Sequence, residues 1–118
     1  MPGKLLIVED NPDMRATMRM ILEFEGYQVA TAEHGEMAQQ VLRESTPLPG
    51  LILLDLQMPV MDGRTFLATL GDAGIPGATD IPVVLVTASR QQLDPPLETL
   101  RKPFELDQLL DVVARHLP

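Results

Sequence analysis

Short aliphatic runs alternate along this chain with longer stretches in which apolar residues recur every three or four positions. Leu5–Val8, Leu51–Leu54 and Val83–Val86 are apolar at every residue, the pattern of strands covered on both faces. Tyr27–Ala32 predicts a further strand and Leu97–Arg101 a fifth. Between them lie helical patterns. Asn11-Pro12-Asp13 opens the first, with Asn11 as N-cap and Pro12 at the first helical position. Met14, Met18, Ile21 and Leu22 form its stripe, and Gly26 suits a left-handed stop. Glu36–Arg43 predicts a short helix with Met37, Ala38 and Val41 inward, and Arg64–Leu70 another. The last helix carries Leu106, Leu109, Leu110, Val113 and Leu117 on one stripe. Gly71–Pro82 is rich in Gly and Pro and predicts irregular chain, whereas Arg90–Thr99 is interrupted by Pro95-Pro96.

Strand–helix alternation of this kind predicts an α/β fold with a parallel sheet, right-handed crossovers and helices on both faces. At 118 residues the chain is expected to form a single domain over 1–118. Aromatic residues make up 3% and Trp is absent, so aliphatic side chains must build the core. The chain has no Cys. That excludes disulfides and thiolate metal sites, and a cytoplasmic setting is expected. A formal net charge of −8 argues against direct binding to nucleic acid. No apolar stretch is long enough to span a bilayer, and residues 1–8 are too short for a signal peptide.

The candidate chemistry sits where the strands end. Glu9 and Asp10 follow the first, Asp55 the third and Thr87 the fourth, and Lys102 lies just past the fifth. Open parallel sheets bind ligands beyond the carboxyl ends of their strands, at the point where strand order reverses. In the doubly wound, flavodoxin-like order 2-1-3-4-5, strands one and three are neighbours. Glu9, Asp10 and Asp55 then share one cleft. Two like charges about 4 Å apart repel by roughly 4 kcal/mol at an effective dielectric of about 20, so such a cleft calls for a cation or for protonation. An all-oxygen donor set favours Mg²⁺. Lys102 adds a further positive charge, and together they suit a small phosphoryl group under attack by Asp55.

Four blocks carry a resemblance: Val8-Glu9-Asp10-Asn11, Leu54-Asp55 through Asp62-Gly63, Val86-Thr87-Ala88 and Lys102-Pro103-Phe104. In order and over nearly the whole chain, they resemble the receiver domain of bacterial two-component response regulators. The resemblance implies that Asp55 is a phosphoacceptor. It also implies that Asp10, Asp55 and the backbone carbonyl of Gln57 bind Mg²⁺, with Glu9 supporting the ion through water. By the same resemblance Thr87 is a switch hydroxyl, Lys102 pairs with phosphate and Asp55, Pro103 follows a cis peptide bond, and Gly63 permits the turn behind the site. The implied donor is a histidine kinase or phosphotransfer protein. The implied output is a partner protein or an effector domain, and the only catalysis is the domain's own phosphorylation and dephosphorylation.

Two departures from the family stand out. Only 15 positions separate Thr87 from Lys102 (102 − 87), so the fourth helix is expected to be shortened or missing. Thr99 stands where the family tends to place an aromatic ring. Output through another face, or through a rearranged surface, is expected from these departures. The competing readings are a pseudo-receiver that binds proteins without switching, and a phosphatase acting on an external substrate. Against the phosphatase, Gln57 stands two residues after Asp55, where a general acid is required. Alone, Asp62-Gly63 reads as turn chemistry, His34 and His116 as non-ligands, and the seven Met residues as core filler.

Overall fold

The computed structural model describes residues 3–56, 63–88 and 97–117. Five parallel strands, β1 (Lys4–Val8), β2 (Gln28–Ala32), β3 (Leu51–Leu54), β4 (Val83–Thr87) and β5 (Thr99–Arg101), form one sheet in the order β2-β1-β3-β4-β5. The four described helices are α1 (Pro12–Phe24), α2 (Gly35–Glu44), α3 (Gly63–Thr69) and α4 (Leu106–His116). The topology is the doubly wound one expected. The expectation of a shortened or missing helix after β4 falls on residues 89–96, outside the described residues. Among the described residues no helix is long and apolar enough to cross a membrane.

The sheet explains why β1 and β3 are apolar throughout. Their side chains alternate between faces. Leu6, Val8, Ile52 and Leu54 pack with Ala38, Leu42 and Phe66 on one side. Leu5, Ile7, Leu51 and Leu53 pack with Met18, Leu22, Leu109 and Val113 on the other. All eight strand residues are 1% exposed or less.

Local signals hold at α1. The Asn11 side-chain oxygen accepts from the Met14 N–H at 3.0 Å, Pro12 occupies the first turn, and Gly26 adopts φ 96° just past the end. In α2 the expected inward residues pack against the core, but the buried face extends beyond them. Ala38, Gln39 and Leu42 are buried, while Met37 and Val41 sit at the margin. Gln39 is tolerated inside because its amide donates to Thr69 Oγ1 of α3 at 2.8 Å. In α4 the apolar arc is broader than its contact with the sheet. Leu109, Val112 and Val113 face the core, and Leu106, expected inward, is 51% exposed. The segment expected to be irregular contains two short 3₁₀ turns, Gly71–Ala73 and Ala78–Asp80, set off by Gly74 and Gly77 at φ 71° and 82°.

Neither histidine approaches the strand-end acids. His34 caps α2, its Nδ1 accepting from Met37 N–H at 3.2 Å. His116 bonds Glu98 at 3.0 Å, and Arg115 donates to the same carboxylate at 2.6 Å. The His116 hydrogen bond, then Arg115, hold the Glu98 carboxyl below its ordinary value. Such a group adds stability above its unfolded pKa and loses it as pH falls through the folded one. Glu98→Gln should therefore lower the unfolding midpoint slightly at pH 7, since water screens this cluster. The difference should vanish in acid, as denaturant titrations at several pH values would show.

Candidate functional site

Strand register delivers the polar residues to one rim. Val8 pairs with Leu54, Leu54 with Leu85, and Thr87 with Arg101. Main-chain pairing then runs on past the strands. Glu9 N–H donates to Ala32 O at 3.0 Å, Asp55 N–H to Val8 O at 3.0 Å, and Lys102 N–H to Thr87 O at 3.1 Å. Glu9 and Asp55, 46 positions apart (55 − 9), and Asp55 and Lys102, 47 apart (102 − 55), are thus fixed by the sheet itself.

Carboxylate oxygens of Glu9, Asp10 and Asp55 all lie within 4.8 Å of one another. Glu9 and Asp55 are 2% and 6% exposed, whereas Asp10 opens to solvent. Facing them, Lys102 Nζ donates to Glu9 Oε1 at 2.5 Å and to Asp55 Oδ2 at 3.2 Å. Burial, more than any other influence, raises the Glu9 carboxyl above its ordinary value. Lys102 and the Asn11 N–H oppose the rise, and the Asp55 charge adds to it. Burial pushes the Lys102 ammonium down, but hydrogen bonding and charge from Glu9 and Asp55 outweigh it and hold it above its ordinary value.

Of the residues singled out in the sequence, Glu9, Asp10, Asp55 and Lys102 meet at this rim. Thr87 ends β4 there, fully buried. The Lys102-Pro103 peptide is cis. Gln57 lies outside the described residues. Gly63 does not have a positive φ. A Cβ there would overlap the Asp55 carbonyl oxygen and stand 2.9 Å from Leu56 Cα. Glycine is required for close approach, not for a left-handed turn. Thr99 opens β5 with an exposed side chain whose hydroxyl donates to Leu97 O at 3.1 Å.

Two features were not anticipated. Both Glu9 oxygens are engaged, Oε1 by Lys102 and Oε2 by the Asn11 N–H at 3.2 Å. Arg15 Nη1 donates to the Glu9 carbonyl at 2.8 Å and the Asp10 carbonyl at 3.4 Å, and Nη2 lies 3.7 Å from Glu33. One sequence signal was available for Arg15: it sits one helical turn after the Asn11 cap, under the backbone that carries the acids.

Such a rim can hold a divalent cation on oxygen ligands and offer Asp55 as a nucleophile beside a fixed ammonium. Its setting is shared widely. A family model for the response regulator receiver domain matches residues 5–114. Sporulation initiation phosphotransferase F of Bacillus subtilis is 31% identical, over 100% of this chain and 96% of that protein. The C4-dicarboxylate transport transcriptional regulatory protein DctD of Pseudomonas aeruginosa is 32% identical over 97% of this chain, which spans only 25% of its length. Among solved structures, the signal receiver domain of a signal transduction histidine kinase from Syntrophus aciditrophicus superposes with a TM-score of 0.82 at 33% identity, covering 98% of this chain and 89% of that one. With the acids, the lysine and the buried threonine on the rim of the same fold, the chain belongs to the response regulator receiver domain family of two-component systems.

Proposed function

We propose that this signalling module is switched by transfer of a phosphoryl group from a phosphohistidine, on a histidine kinase or phosphotransfer protein, to Asp55. An Asp55 carboxylate oxygen attacks phosphorus as the P–N bond breaks. The electron pair stays on the imidazole nitrogen, which takes a proton from solvent. Hydrolysis follows when water attacks the same phosphorus, releasing phosphate and restoring the carboxylate. In this reading Lys102, 3.2 Å from Asp55, pairs with the new phosphoryl oxygens, and the Thr87 hydroxyl turns to donate to one. The modification adds about −1.5 to −2 charges at one point.

The donor set fits Mg²⁺. Ligands on opposite sides of that ion stand roughly 4 Å apart, and the three carboxylates offer oxygens within 4.8 Å. Asp10 and Asp55 would hold the ion together with the Gln57 carbonyl. Glu9, with both oxygens engaged, would contribute through water. When bound, the ion neutralises charge building on the transferring oxygens.

The observation that carries this reading is the convergence of three carboxylates and one ammonium at the rim of the sheet. Incubation with Mg²⁺ and acetyl phosphate should add one phosphoryl mass, and Asp55→Asn should abolish the gain. No gain in the parent chain would leave a protein-binding module that does not switch.

Arg15 should tune the same site. Arg15→Lys keeps the charge but loses the fork that holds both carbonyls. Mg²⁺ affinity should fall by roughly tenfold, as NMR titration would report without any turnover.

A further inference from the structure

The loop that carries Glu9 and Asp10 holds more oxygen than one atom from each carboxylate. Both residues also have a backbone carbonyl, and the Glu9 carboxylate has two oxygens. All of these are engaged. Lys102 holds Glu9 Oε1 at 2.5 Å, and the Asn11 N–H holds Glu9 Oε2 at 3.2 Å. Arg15 Nη1 holds the Glu9 carbonyl at 2.8 Å and the Asp10 carbonyl at 3.4 Å. Two of these contacts share one peptide plane. The Asp10 carbonyl and the Asn11 N–H lie on opposite edges of it, so that peptide cannot turn unless Arg15 and Glu9 both let go. Arg15 itself is placed by α1, whose first turn is fixed by the Asn11 cap and Pro12. Its side chain is 19% exposed, and Nη2 lies 3.7 Å from Glu33, on the loop after β2.

We propose that Arg15 is a specificity-determining residue, which selects Mg²⁺ over Ca²⁺ by withholding the Glu9 and Asp10 carbonyls from the ion. The inference rests on the reading of this rim as a divalent-cation site. The two ions differ in how many protein oxygens they take. Ca²⁺ gathers roughly six to eight oxygens at about 2.3–2.6 Å, backbone carbonyls among them, in flexible geometry. Mg²⁺ demands a near-octahedral shell at about 2.0–2.1 Å, keeps several waters and binds through few protein ligands. With the neighbouring oxygens held elsewhere, the rim offers Asp10, Asp55 and the Gln57 carbonyl, a set that suits the ion which keeps its waters. Removing the guanidinium frees both carbonyls and lets the Asp10-Asn11 peptide turn. That turn presents the Asp10 carbonyl or releases Glu9 Oε2. Each added oxygen favours Ca²⁺ over Mg²⁺. The loss of one positive charge acts on both ions alike and cancels in the ratio of their affinities.

The test titrates the full chain separately with MgCl₂ and CaCl₂, read by calorimetry and NMR with no phosphoryl donor present. Arg15→Met keeps the stem and removes every donor. It should lower the ratio of Mg²⁺ to Ca²⁺ affinity at least about tenfold, with circular dichroism unchanged. Arg15→Lys should move the ratio the same way by less, and it serves if Arg15→Met does not fold. Asp55→Asn should weaken both ions, which assigns the titration to this rim. Mg²⁺ and Ca²⁺ affinities that fall in proportion in the Arg15 variants would overturn the proposal alone, since Arg15 would then only stiffen the loop. A parent chain that binds no Mg²⁺, or binds it indifferently to Asp55→Asn, would overturn the cation reading of the rim and this inference with it.

Discussion

Lys102→Met is expected to destabilise the metal-free protein by about 3 kcal/mol at pH 7, the low end for breaking a buried ion pair. The low end applies because the Lys102 side chain keeps 17% of its exposure, so some water reaches it. The substitution preserves much of the stem's apolar packing and removes the charge. What remains is Glu9, 2% exposed, beside Asp55, with no ammonium facing either. The Glu9 carboxyl already sits above its ordinary value with Lys102 present, and it should rise further. The folded state then binds more protons than the unfolded one, so stability should fall as pH increases through the raised value. Urea titrations between pH 5 and 8 should show a steeper decline in Lys102→Met than in the parent, with partial recovery on adding Mg²⁺. A variant with a flat pH profile and near-parent stability would show that the ammonium is not what holds these acids together.

Gly63→Ala is the second large effect, and it acts on both stability and chemistry. The new Cβ would meet Asp55 O, Leu56 Cα at 2.9 Å and Asp55 C at 3.1 Å. All three are backbone, so no rotamer change relieves the overlap. Overpacking of this kind costs about 1–3 kcal/mol, and the rigid neighbours place this site at the upper end. Relief must come from moving α3 or the Asp55 peptide. A shift of the nucleophile by about 1 Å can slow a positioned reaction by roughly a hundredfold. Phosphorylation by acetyl phosphate should therefore slow in Gly63→Ala even at temperatures where circular dichroism reports a folded chain. Unchanged kinetics with lowered stability would show that α3 had yielded instead.

The sheet was legible because its strongest signals are local. Runs such as Leu51–Leu54 have one use in an α/β chain, and Asn11-Pro12 marks a helix start by backbone chemistry alone. Acids and a lysine at strand ends then located the site, since topology gathers those ends at one rim. Detail failed where tertiary contacts choose among near-equivalent local patterns. Both Val41 and Leu42 are apolar on α2, and only the packed sheet decides that Leu42 goes under it. Leu106 belongs to the apolar arc of α4, yet the arc is wider than the surface it can cover. The pairing of Lys102 with Glu9 was missed because distances between side chains 93 residues apart are not encoded in either neighbourhood. Arg15 carries only a weak signal in the sequence, its place one turn after the Asn11 cap, and its role follows from the two carbonyls it reaches.

The hydrogen bonds that carry Glu9, Asp55 and Lys102 past the ends of their strands tie the rim to the carboxyl ends of β2, β1 and β4. Glu9 and Asp55 are held by the sheet's own pairing, so parting them requires the strand ends to open. Whatever fills the cleft favours the native chain as a whole, and loading should raise resistance to heat and denaturant in proportion to the logarithm of occupant concentration. Signal state and durability are in this way properties of the same five strands.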